Sequence, residues 1–259
     1  MRVIPKLRRR SPDERTGTMT LMEHLEELRH RLIVCVIAIG VGMVVGWFLF
    51  PAFLHILRTP YCDTVNNLPK QSQPIAGCRL VFTGLLEPTL VKLKSVFFLG
   101  LFVVSPVLLW QFWGFIVPGL TERERRMGIP FVVSSVALFA LGGLVAYIML
   151  PKGINFLLGF AGPSLTPLLS AGQFIGFVVL LTVAFGLSFE FPIVLIFLTL
   201  VGVLSSRKLR KWRRYSILFI AVFAAIITPS SDPYTMLAMM IPMCLFYEAS
   251  IIVARLMKK

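Results

Sequence analysis

The chain has 259 residues, 57% of them apolar and only 15% charged, with a formal net charge of +14 and a mean hydropathy of +0.84. A water-soluble domain carries about 25% charged residues, so this chain lacks the polar side chains to cover a surface wetted on all sides, and lipid must cover much of it. Its basic residues sit in short clusters between apolar runs, which argues against a nucleic-acid partner and for anionic lipid headgroups.

Residues 1–19 are polar, include Arg8-Arg9-Arg10 and read as a disordered cytoplasmic tail. No apolar core follows those arginines closely, so they do not form a cleavable signal. From Thr20 to Leu32, apolar Leu21, Leu25, Leu28 and Leu32 keep helical spacing while Glu23, Glu26, Glu27, Arg29 and Arg31 fill the other faces. Thr20 with Glu23 has capping-box spacing, which predicts a helix from Leu21.

Runs long enough to cross about 30 Å of hydrocarbon follow at Leu32–Phe50, Ser95–Val117, Ile129–Leu150, Phe174–Val203 and Thr235–Val253. A sixth run, Tyr215–Thr228, is shorter and reaches only about 21 Å. The fourth contains Pro192 and is expected to kink. Assigning alternate connections to one side places 20 Lys and Arg with both termini and 6 opposite, so both termini are expected in the cytoplasm. The expected fold is an all-α polytopic membrane protein with six transmembrane helices in a domain spanning 20–255, followed by a short cytoplasmic tail at 256–259. Residues 51–94 form its longest non-spanning stretch and are expected to be an extracytoplasmic cap. Within that cap Cys62 and Cys78 either bridge or stand as two free thiols.

The sequence offers no site for covalent chemistry. His24, His30 and His55 lack metal-ligand spacing, and there is no phosphate-cradling glycine loop or nucleophile elbow, so neither enzyme activity, a metal nor a cofactor is expected. Gly42 with Gly46 and Gly172 with Gly176 have the small-residue spacing of close helix packing. Among the 12 acids, Glu190 stands deep in an apolar run, where facing lipid costs at least about 2.5 kcal/mol. It is either a protonated carboxyl bonded to a neighbouring helix or a docking or transport site. Glu248 is expected to pair with Arg255 or reach the interface. Glu27 has an ordinary ion-pair explanation in Arg31, and Glu124 an ordinary capping-box explanation with Thr121.

Four motifs together resemble one family. His24-Leu-Glu-Glu-Leu-Arg-His-Arg-Leu32, Ser105 to Leu120 with Glu124-Arg-Arg126, Phe185-Gly-Leu-Ser-Phe-Glu-Phe-Pro192, and Thr228-Pro with Asp232 are similar to TatC, the polytopic core of the twin-arginine translocase. The resemblance implies six helices with the fifth and sixth short, a bacterial inner-membrane location, and export of folded proteins bearing twin-arginine signal peptides, driven by the proton-motive force. It implies that Glu27 and Glu124 engage the signal, with Arg29, Phe115 and Leu120 at neighbouring recognition positions. A guanidinium binds a carboxylate through two parallel hydrogen bonds, which lysine cannot do, and so arginine is demanded. It further implies that Glu190 contacts the single-span partners TatA and TatB, that Pro60 and Asp232 serve transport on the far side, and that the chain is a homo-oligomer within the complex. Two departures stand out: Met236 replaces a usual glutamine, leaving Thr235 or Glu190 to supply a polar partner contact, and Leu86 precedes Glu87-Pro88 where threonine is frequent. The competing reading is a proton-coupled secondary transporter of small solutes using Glu190; it predicts internal symmetry, and no convincing repeat is visible.

Overall fold

A computed structural model describes residues 21–67, 77–116, 128–160, 170–228 and 232–256; the tail at 1–19 and the Thr20 cap lie outside them. The described chain is helical almost throughout: α1 Leu21–Asn67, α2 Glu87–Ile116, α3 Gly128–Phe160, α4 Ala171–Phe189, α5 Phe191–Leu200, α6 Ser206–Ile227 and α7 Pro233–Leu256. Segments α4 and α5 are two halves of one span, interrupted at Glu190, so seven segments make six helices. Pro192 causes the break, since it has no N–H to return to the carbonyl of Ser188. The kink expected in the fourth run is therefore a one-residue interruption.

Five of the six helices are long and apolar enough to cross a membrane. The exception is α6, whose first turns carry Arg207, Lys208, Arg210, Lys211, Arg213 and Arg214. The apolar remainder, from Tyr215, covers only about 20 Å. At 24 residues, α7 is also shorter than the first four spans.

The first third of the stretch expected as a cap, 51–94, continues α1 as helix. Helix α1 runs 47 residues, straight past Pro51 and Pro60. Each interior proline costs roughly 3 kcal/mol. Leu57, Tyr61 and Val65 lie four residues apart and are all buried, at about 1.5–3 kcal/mol each. Tyr61 also packs on Phe174 with ring centroids 5.1 Å apart. This burial offsets the prolines and holds the extension helical.

Cys62, near the end of α1, is disulfide-bonded to Cys78 on the returning chain, with Cα atoms 4.9 Å apart, the bridged one of the two alternatives. The returning chain is fastened to the bundle by Glu87. Its Oε2 accepts from the Thr83 N–H at 2.6 Å and the Thr83 hydroxyl at 2.9 Å, and its Oε1 accepts from the Gly172 N–H at 2.7 Å. Glu87 precedes the apolar core that begins at Ser95. The N–H donors of Thr83, then of Gly172, hold its carboxyl down at about 2.

At the centre lies α4, whose Val178, Leu181, Phe185 and Phe189 pack with Leu150 of α3, Ile220 of α6 and Met239 and Met243 of α7. The two small-residue pairs diverge. Gly42 and Gly46 sit where α1 meets α2, and a methyl on Gly42 would come within 2.6 Å of the Gly100 carbonyl oxygen. Gly176 instead faces open space, and Gly172 makes room for the Glu87 carboxylate.

Candidate functional site

The first turns of α1 meet the last turns of α2. Arg31 reaches back one turn and donates to Glu27 Oε1 through Nη2 at 2.6 Å and Nε at 3.1 Å. Its third donor, Nη1, crosses to Gln111 Oε1 of α2 at 3.2 Å. Gly114 permits this approach, because a methyl there would lie 2.1 Å from Arg31 Nη1. Beside the pair, His24 stacks on Phe115 with centroids 4.5 Å apart. The second Glu27 oxygen, Oε2, is buried and has no hydrogen-bond partner among the described residues. A buried carboxylate oxygen left in that state is an acceptor held ready for an incoming donor, and a charge-assisted bond to it is about twice as strong as a neutral one.

Of the residues expected at this site, Glu27 and Phe115 are thus brought together, while Arg29 points away on an exposed face. Glu124 and Leu120, with Thr121, lie outside the described residues. Gln111 and Gly114 were not foreseen. A lone amide within an apolar span is itself a signal, since polar groups at membrane depth are costly unless they have a task.

Glu190 sits at the helix interruption and opens onto an apolar cavity of about 580 Å³, lined by Trp113 of α2, Phe131 and Ser135 of α3, and Ile193 and Phe197 of α5. Its Oε1 is buried without a hydrogen-bond partner among the described residues, as is Trp113 Nε1 at the same cavity. Trp113 is fixed by stacking on Phe131 at 4.8 Å and by the edge of Phe197 at 5.8 Å. The end of α2 therefore serves both places: Gln111, Gly114 and Phe115 face α1, and Leu109, Phe112, Trp113 and Ile116 face the Glu190 cavity.

The remaining expected residues have structural surroundings. Pro60 is buried, and its carbonyl accepts from the Thr64 hydroxyl at 2.7 Å. Fully buried Asp232 caps α7, accepting from the Thr235 N–H at 2.8 Å and from the Thr235 hydroxyl. That arrangement turns Thr235 inward, away from any partner helix, while Met236 packs against the core. Of the two expectations for Glu248, pairing with Arg255 or reaching the interface, the first is corrected: Glu248 Oε2 accepts from Arg213 Nη2 of α6 at 2.5 Å, and the side chain is exposed.

Residues 23–242 match the profile of the Sec-independent protein translocase protein (TatC) family. Curated relatives described as Sec-independent protein translocase protein TatC include one from Frankia casuarinae, 40% identical over 95% of this chain and 68% of the relative. Another, from Aquifex aeolicus, is 39% identical over 92% of this chain and 95% of the relative. A crystal structure of the twin-arginine translocase receptor TatC superposes with a TM-score of 0.71 at 37% identity, covering 91% of this chain and all of that one. The chain belongs to the TatC family. It is a multi-pass membrane protein and a component of a Sec-independent protein translocase.

Proposed function

We propose that this TatC family member reads twin-arginine signal peptides at the Glu27 end of the bundle. It sits in the bacterial inner membrane with both termini in the cytoplasm, and delivers folded cargo for export with TatA- and TatB-type single-span partners. The observation that carries the reading is the pair of unlike oxygens on Glu27: Oε1 is held by Arg31, while Oε2 is buried and unpaired. A guanidinium entering beside Phe115 finds an acceptor already desolvated and already aimed. Glu124 is the proposed second carboxylate, with Leu120 near it, and Arg29 meets the signal from the exposed face of α1.

Glu190 is the proposed contact for a partner helix, because its cavity is apolar and offers an unpaired carboxyl oxygen. Thr235 is spent on Asp232, so Glu190 carries that contact alone. Pro60 and Asp232 then act in transport by shaping α1 and α7. Several copies of the chain assemble within the complex, and the proton-motive force supplies the energy.

The test is photocrosslinking of a twin-arginine signal peptide to Glu27→Lys and Glu124→Lys proteins in membrane vesicles. Crosslinking should fall sharply in both. Undiminished crosslinking in both variants would remove the assignment.

A further inference from the structure

A second groove lies on the basic end of α6, away from both Glu27 and the Glu190 cavity. It has a volume of about 290 Å³ and runs between α5, α6 and α7, with Lys208, Trp212, Tyr215 and Phe219 along one wall. These four α6 positions share one stripe, because spacings of three, four and seven bring side chains to the same helix face. From Lys208 to Phe219 the stripe descends about 16 Å, close to half of the roughly 30 Å hydrocarbon core. The groove is therefore one leaflet deep, with a cation at its mouth and apolar Phe191 and Leu195 along its other wall.

Charge at the mouth is uncompensated. Glu248 is the acid facing this end, and it is paired with Arg213. Lys208, Lys211 and Arg207 have no ion-pair partner among the described residues and are exposed. Lys208 Nζ makes only a 3.4 Å bond to the Val203 carbonyl. Trp212 and Tyr215, both exposed, stand one turn deeper, at the level where aromatic rings with a polar edge favour the headgroup region. We infer that this groove binds one anionic glycerophospholipid, its phosphate held by Lys208 and Lys211 and one acyl chain laid along Trp212, Tyr215 and Phe219. Two lysines at such a surface favour an anionic headgroup over a zwitterionic one by roughly tenfold or more.

The full chain, reconstituted in phosphatidylcholine nanodiscs, is titrated with bromine-labelled phosphatidylglycerol or bromine-labelled phosphatidylcholine. Trp212 emission is isolated by subtracting a Trp212→Phe protein. Half-quenching should come at an about tenfold lower mole fraction of the anionic lipid. The preference should vanish in Lys208→Gln/Lys211→Gln and persist in Lys208→Arg/Lys211→Arg, which separates loss of charge from loss of fold. Equal midpoints for the two lipids overturn the site, and so does a preference that survives the glutamine pair. Quenching that is abolished by a bound single-span partner helix but insensitive to headgroup would instead mark the groove as a protein contact and sink the lipid reading.

Discussion

At Glu27 the two carboxylate oxygens stand in different surroundings, and the difference decides what a substitution does. Arg31 satisfies Oε1, and that i,i+4 pair contributes only about 0.3–0.5 kcal/mol to the helix. Oε2, buried without a partner among the described residues, adds no stabilising bond to the fold. Glu27→Gln should therefore leave the melting temperature of the purified protein nearly unchanged. An incoming arginine, however, loses a bond to a charged acceptor, worth about 1.5–3 kcal/mol, so the Kd of a fluorescent twin-arginine peptide should rise at least about tenfold. Unchanged affinity in the glutamine protein would confine Glu27 to a structural role. Glu190 differs because its buried Oε1 has no hydrogen-bond partner among the described residues. Its replacement by Gln should spare folding and weaken capture of a partner helix, measured by co-purification from membranes.

Helix α1 and helix α2 touch backbone to backbone, and this contact tests whether glycines were placed for packing. A methyl on Gly100 would lie 2.7 Å from the Met43 nitrogen, with no flexible side chain to yield, whereas one on Gly176 meets nothing within 4 Å. Gly100→Ala should thus destabilise by about 1–3 kcal/mol through overpacking. Gly176→Ala should be neutral or stabilise by up to about 1 kcal/mol, as alanine is the better helix former. Thermal unfolding of the two proteins in one detergent distinguishes them, and equal melting temperatures would discount the close contact. Spacing alone did not separate these glycines, since it gives the face of a residue but not what lies opposite. The same limit explains the site: Glu27–Arg31 was legible because four residues on a helix are neighbours by construction, and the break at Glu190 because Pro192 announces it. Gln111, 80 residues from Arg31, becomes its partner only when α2 folds back. The extension of α1 beyond Phe50 was hidden by two prolines whose cost is met by packing with distant helices.

Across the molecule, the cap is tied down at two points of different chemistry, and they should fail under different conditions. The disulfide between Cys62 and Cys78 closes a loop of 16 residues, worth about 3 kcal/mol in the chain-entropy account; reduction should lower the melting temperature at every pH. The second tie, Glu87, joins the returning loop to the start of α4, and its carboxyl is held at about 2 against an ordinary 4.5 by the N–H groups of Thr83 and Gly172. A group whose folded pKa is depressed stabilises the fold above its unfolded pKa and loses that contribution as pH falls toward the folded value. The Glu87 contribution is therefore complete above about pH 4.5 and fades between there and about pH 2. Glu87→Gln keeps the shape but accepts weaker bonds and carries no charge beside the N-terminus of α4. It should melt below the parent protein by a constant margin from pH 5 to 8, and the two curves should converge as the pH drops through that acid window. A margin that persisted to pH 2 would mean that Glu87 acts by packing alone, and a margin absent at neutral pH would mean that the disulfide by itself holds the cap to the bundle.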